Sequence, residues 1–427
     1  MFSVVARARV ACVLLFVGIG SNAPTWAAEP FNPQGELTLA QAVDAAIRSN
    51  PDLLASGYEL NAAQARIVQA NLRPNPQLSL ELENFVGTGD YRGVDQLETT
   101  LSLSQVVELG GKRSLRRSTA EADLDAVTIE QRARELDVLA EVTRRFIDVT
   151  VAQERVAYAA EAASLSEKLL QAIGARVDAG RSPEAERSRA RIALTRARIE
   201  QQQAHSDVRS ARYALSAMWG VAEPAFSGAR AQLFTLRPVD TFQALSQRLD
   251  ESPDLIRFAS ESRLREAELR LARAQARPDL TFSVGARRLD ATNDTALVAG
   301  FTMPLPTSNR NQGAIREAQV RITQTDAMRD AARLRARSAL LALYQEMTTA
   351  AQRMETLQAE GLPQAQQALD QTRSGYERGR FSFLDLATAQ EELLALRSAT
   401  IDAAADYHRM LIEIERLTSA PLTQATP

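Results

Sequence analysis

Residues 77–106 alternate between apolar and polar side chains on either side of one polar stretch. Leu78, Leu80 and Leu82 alternate with Gln77, Ser79, Glu81 and Glu83; beyond it, Leu97, Leu101 and Leu103 alternate with Gln96, Glu98, Thr100, Ser102 and Ser104. A period of two reads as a strand pair with leucines on one face and acids on the other. The stretch 87–94 between them holds three glycines, Asp90 and Tyr91, which suits an exposed turn. A soluble hairpin could look the same, but the pattern returns about two hundred residues later, in residues 278–306. There Leu280, Phe282, Val284 and Ala286 alternate with Thr281, Ser283, Gly285 and Arg287, and Leu297, Ala299, Phe301 and Met303 with Val298, Gly300 and Thr302.

The 427 residues therefore read as a duplicated unit rather than as unrelated domains. Asn50-Pro51-Asp52-Leu53 is echoed by Ser252-Pro253-Asp254-Leu255, and in both copies the next matched proline, Pro76 or Pro278, lies 25 residues after the first. The reading is a first repeat over 29–220, with strand pair 77–106 and helical hairpin 113–219, and a link over 221–240. A second repeat follows over 241–418, with strand pair 278–306 and hairpin 312–417, and then a flexible tail, 419–427.

Residues 1–28 read as a secretory signal peptide: Arg7 and Arg9, an apolar run over 10–20, and cleavage after Ala27 or Ala28. The run is too short to span a bilayer. Cys12 is the only cysteine and is read as filler of that run, because a lipidation site would not have Arg9 three residues before it. Losing Arg7 and Arg9 takes the formal charge from −3 to −5, which argues against a nucleic-acid partner. No later run of eighteen apolar residues follows, so any entry into a membrane would be through strands.

A short amphipathic helix is expected over 37–49, capped by Thr38, and a second over 52–72. From Ser114 to Asp178 the chain has no proline and no glycine pair, which predicts a helix on the order of 100 Å long. Val142, Val149, Val156, Ala163, Leu170 and Val177 recur every seven residues, and Ala126, Ala133, Ala140 and Ile147 make a second seam. Two seams imply neighbours on two sides, as in a ring of helices. A turn at Gly180, with Ser182 as the expected cap, and its counterpart at Gly379 reverse the chain into returning helices. Aligning the two glycines also aligns Glu186 with Asp385 and Ala190 with Ala389.

Each strand of about ten residues would stand ~25 Å tall when tilted, the height of the apolar band of an outer-membrane barrel. Four strands cannot close, and open edges in lipid leave amides unpaired at several kcal/mol each. Strands must then be pooled between chains, and three copies would give twelve, enough for a lumen. The expected fold is mainly α with a membrane β-barrel portion. Glu81, Glu83 and Glu98 face water inside it, and the leucines with Phe282 and Phe301 face lipid.

Four stretches carry a family resemblance: LTLAQAVDAAIRSNP, the P-x-L-x-L strand starts, GYERGRFSFLDLATAQ over 374–390 and its weaker copy ARVDAGRSPEAERSRA. The chain resembles the TolC-like outer-membrane efflux proteins over nearly all of its mature length. QVVELGGKR over 105–113 resembles the branch paired with cobalt-zinc-cadmium exporters. The resemblance implies a homotrimer with a twelve-stranded barrel in outer-membrane lipid, continued by a trimeric α-barrel of long antiparallel hairpins in the periplasm. It further implies docking to a periplasmic adaptor, with Gly180 and Gly379 at the tip turns, and to an inner-membrane resistance-nodulation-division pump. Tyr376 and Asp385 fall at gate positions, with Glu186 as the matching acid of the other hairpin. Thr388 stands where the family has a second acid, and Phe381, beside Arg380, where it has an arginine. Asp385 and Glu186 could form acidic rings in a trimer, or simply pair with Arg378, Arg380 or Arg187.

His205 and His408, the only histidines, lie on different helices without further spaced ligands, so no metal site is expected. Gly110 and Gly111 lack the rest of a phosphate loop. No nucleophile, base and acid constellation supports catalysis, and no cofactor is expected. The functional expectation is a passive export conduit gated at the helical tip, with heavy-metal cations as its cargo. The competing reading is a soluble periplasmic adaptor or coiled-coil scaffold.

Overall fold

The computed structural model describes residues 32–419. The leader with Arg7, Arg9 and Cys12, and the tail beyond Ser419, lie outside the described residues. In chain order the elements are β1 (Gly35–Leu37), α1 (Leu39–Ser49), α2 (Pro51–Ala70), β2 (Gln77–Glu83), β3 (Glu98–Val107), α3 (Lys112–Asp178) and α4 (Glu184–Ser216). They continue as β4 (Phe226–Ala229), α5 (Phe242–Arg248), α6 (Pro253–Gln275), β5 (Leu280–Leu289), β6 (Asp294–Thr302), α7 (Gln312–Thr356), α8 (Leu362–Glu377) and α9 (Phe383–Thr418).

The two alternating stretches form one antiparallel sheet in the order β2-β3-β5-β6, so the hairpins of the two halves lie side by side and β2 and β6 are its edges. The register aligns Leu80, Leu101, Ala286 and Leu297 across the sheet, and Glu81, Thr100, Arg287 and Ala296 one residue along. One face is therefore apolar and the other polar, as the alternation requires. Among the described residues nothing covers the apolar face: Leu78 is 72%, Leu297 87% and Phe301 73% exposed.

α3 is a single helix of 67 residues, about 100 Å at ~1.5 Å per residue. Val142, Val149, Ala163, Ala140 and Ile147 of its two seams are buried, and it packs against α2, α4, α6 and α9. In the second half, the long helix that the sequence suggests from about Gln312 to Arg378 is interrupted by a π turn over Leu357–Gly361, where the Leu362 N–H reaches back to the Leu357 carbonyl. Pro363, which lacks an N–H, and the side-chain-free Gly361 account for this departure. No described helix is long and apolar enough to cross a membrane.

Midway along the helices, a core gathers α1, the end of α4, β4 and the middles of α3 and α9 around Trp219, Phe226 and Leu37. The link between the halves, which the sequence suggests is irregular, supplies β4, paired in parallel with β1. It is tied down further by His408 Nε2, 2.8 Å from the Leu233 carbonyl, and by the Tyr407 hydroxyl, which donates to the Arg237 carbonyl at 2.9 Å. Burial lowers the pKa of His408, so its ring sits there neutral.

Ion pairs join α3 to α9 in antiparallel register. Asp137 meets Arg416, Arg144 meets Glu413, Asp148 meets Arg409, Arg155 meets Asp402 and Glu161 meets Arg397. The sign on α3 alternates from rung to rung, so a slide by one rung would oppose like charges. The rungs are partly exposed and individually worth at most about 1 kcal/mol. Their collective effect is on register.

The repeated Asx/Ser-Pro-Asp-Leu motif is not equivalent in its two copies. Buried Asn50 accepts from the Asp52 and Leu53 amides at 2.9 and 3.0 Å and donates to the Met218 carbonyl at 2.8 Å. Ser252 makes no side-chain cap bond. Asn50→Ala is therefore expected to cost about 1–3 kcal/mol and Ser252→Ala distinctly less, because its hydroxyl makes no cap bond, compared by thermal unfolding in detergent.

Candidate functional site

Each half ends in a helical turn built the same way. The Gly180 amide bonds to the Val177 carbonyl and the Arg181 amide to that of Arg176, at 2.9 and 2.8 Å; Gly379 to Tyr376 and Arg380 to Gly375 repeat both distances. This double closure needs a left-handed residue, and the two glycines have φ of +69° and +71°. Past the first turn the sequence expectation is corrected: Pro183, not Ser182, occupies the cap position, and α4 starts at Glu184. Ser182 Oγ accepts from Arg176 Nε at 3.4 Å instead.

Tyr376 is buried at the centre of the tip, in a cluster with Ile173, Ala190, Leu369, Phe383 and Leu386. Its hydroxyl donates to Glu186 Oε2 at 3.4 Å, which bonds the two hairpins to each other. Arg176 makes a second bond between them: its guanidinium lies over the Tyr376 ring at 4.6 Å and donates to the Tyr376 carbonyl at 2.8 Å. Burial raises the pKa of Tyr376, so the hydroxyl keeps its proton and remains a donor.

Asp385 does not join this contact. It closes a capping box at the start of α9, accepting from the Ser382 amide at 2.8 Å and the Ser382 hydroxyl at 2.7 Å. These bonds, the hydroxyl's first, hold its carboxyl below the usual aspartate range. Neither Arg378 nor Arg380 pairs with it among the described residues; both are exposed at the turn. Arg187 binds Asp178 and Glu184 within its own hairpin. Phe381 packs against Gly375, where a Cβ would lie only 2.0 Å from its ring. Tyr376 and Glu186 are thus brought together, whereas Asp385, Arg378 and Arg380 stand apart from them. Arg176 escaped sequence reasoning, its only signal being a basic residue in the last turn of α3.

On the polar face of the sheet, Glu83 lies opposite Glu98, with Glu81 two residues along β2. Arg287 of β5 lies between the two paired acids, 3.0 Å from Glu83 and 2.8 Å from Glu98, and donates to Thr100 Oγ1 at 2.9 Å. Among the described residues, no group of three or more His, Cys, Asp or Glu side chains is gathered to hold a metal ion.

The family model for outer membrane efflux proteins matches residues 42–221 and 244–420. The chain belongs to that family. Its two matched stretches correspond to the two halves, each with one strand pair and one long helical hairpin. The cobalt-zinc-cadmium resistance protein CzcC of Cupriavidus metallidurans is 32% identical over 91% of this chain and 91% of its own. The nickel and cobalt resistance protein CnrC of the same organism is 29% identical over 70% of this chain and 71% of its own. The solved structure of CusC, at 18% identity, superposes with a TM-score of 0.74 over 89% of this chain and 91% of that one, a likeness of fold. An efflux protein of this family is a transport conduit and not an enzyme. Membership also sets aside the soluble adaptor or scaffold.

In this efflux protein Gly180→Ala and Gly379→Ala should each destabilise the tip by about 1–2 kcal/mol, seen as faster tryptic cleavage at Arg181, Arg378 and Arg380. Gly174→Ala, inside α3 with open space around it, should leave cleavage unchanged or slower.

Proposed function

We propose that this chain is the outer-membrane channel of a tripartite export system, a passive conduit for heavy-metal cations. The observation that carries this reading is the four-stranded sheet, apolar and uncovered on one face, with two unpaired edges and helices about 100 Å long leading from its other end. Such edges are tolerated in lipid only when paired, and three copies joined β6 to β2 satisfy every edge in a twelve-stranded barrel. The leucine face then meets lipid, and Glu81, Glu83 and Glu98 line the lumen. The strand turns point outward from the cell, and the helical hairpins extend into the periplasm.

The cargo is proposed from the metal-resistance relatives, and the energy from an inner-membrane pump reached through a periplasmic adaptor at the turns around Gly180 and Gly379. In the resting state the Tyr376–Glu186 and Arg176–Tyr376 bonds hold the two hairpins of each copy together. Asp385, with Arg378 and Arg380, lies at the rim of the aperture. Opening requires both bonds to break. The α3–α9 ladder, which ends at Glu161–Arg397, lets the tip move while the rest keeps its register.

The first test is fractionation. The protein should extract from outer membranes in mild detergent as a heat-dissociable trimer, and its deletion should lower tolerance to cobalt, zinc or cadmium. A soluble monomer would overturn the reading. For the gate, Tyr376→Phe removes one bond worth about 0.5–1.5 kcal/mol per copy, so each copy should move the closed-to-open ratio roughly two- to tenfold toward open, and three copies opening together by the product of the three. In planar bilayers this appears as more frequent opening at unchanged single-channel conductance.

A further inference from the structure

Glu83 and Glu98 sit directly opposite each other on adjacent strands. Like charges so placed repel. Four acids occupy the polar face toward the turn end of the sheet, Glu81, Glu83, Glu98 and Asp294, against one basic residue, Arg287. Arg287 reaches past Thr100, its own cross-strand neighbour, to bring one guanidinium between the paired carboxylates. Glu83 Oε2 is buried and accepts no hydrogen bond, so the arginine's charge is its compensation. Two carboxylates converging from neighbouring strands are the oxygen donors that a divalent cation takes up. A conduit must let such an ion enter and leave, and a strong lumen site would retain it.

We propose that Arg287 is a built-in counter-cation that keeps the Glu83–Glu98 pair from binding the exported divalent ions, and so sets the selectivity of the barrel lumen. This rests on the channel reading above. In three copies the residue removes three two-carboxylate sites from the lumen while leaving Glu81 and Asp294 to attract cations in general. The guanidinium occupies the space between the carboxylates and carries a charge that repels an arriving metal ion.

The test is electrical, on the purified full-length trimer in planar bilayers under a potassium chloride gradient, with cobalt(II) chloride added on the side of the strand turns. Wild type should conduct with weak sensitivity to cobalt(II). Arg287→Gln should shift the reversal potential toward stronger cation selectivity and lower the half-blocking cobalt(II) concentration about tenfold or more, reversibly on adding EDTA. The triple variant E83Q/E98Q/R287Q should return to wild-type insensitivity. Should Arg287→Gln fail to assemble, E83Q/E98Q decides the matter, since it leaves the arginine unpaired and must shift selectivity away from cations. An Arg287→Gln trimer with wild-type reversal potential and cobalt(II) response overturns the proposal, as does an E83Q/E98Q trimer with unchanged selectivity. Absence of any wild-type trimer or conductance would instead remove the channel reading itself.

Discussion

Unpaired strand edges are the constraint on which the rest of the molecule depends. Among the described residues, the sheet β2-β3-β5-β6 carries a largely apolar face and an unpaired edge on each side. In water the face is unfavourable, and in lipid the edges are, because no solvent is there to bond their amides. The proposed assembly meets the two demands together, because copies of the sheet join edge to edge around a polar interior. Duplication follows the same logic, since each half adds one hairpin to the sheet and one helical hairpin beneath it. The pairing of β3 with β5 is the place where the two halves are joined.

Helices of this length raise a second difficulty, that of register. A seam of alanine and valine repeating every seven residues packs nearly as well after a slide of one heptad. The ion-pair ladder between α3 and α9 breaks that degeneracy through alternation of sign, at little net gain in stability. Tipward of Glu161–Arg397 the restraint changes character, and the hairpins are joined by an apolar cluster around Tyr376 together with its bonds to Arg176 and Glu186. The charge-paired register and the proposed gate closure thus fall on different lengths of the same helices.

What could be read from sequence depended on periodicity. Alternation in the strands, heptads in α3 and the matched glycines at 180 and 379 are local or repeating signals, and the structure places each in the element expected. The π turn in the second long helix was also within reach, since Gly361 and Pro363 stand in the sequence to mark it. Contacts between distant segments were not legible. Arg176 meets Tyr376 across two hundred residues, and Arg287 meets Glu83 and Glu98 across two hairpins. The use of Asp385 as a cap was visible in principle, because Ser382 and Asp385 have the spacing of a capping box.

The proposed passage for cations would need acidic lining to admit them, yet must not hold them. The chain answers this by giving its acids local partners at both ends. Glu186 accepts from a tyrosine and Asp385 from the start of its own helix, while Asp178 and Glu184 form ion pairs with Arg187, and Glu83 and Glu98 with Arg287. In the proposed conduit a carboxylate engaged by a hydroxyl or an amide would keep its charge and contribute to the field along the pore, with its lone pairs directed at that partner rather than at a passing ion. Attraction then acts at long range and is weak on contact. That is the condition under which an ion enters readily and leaves readily, and it requires no metal site anywhere along the route.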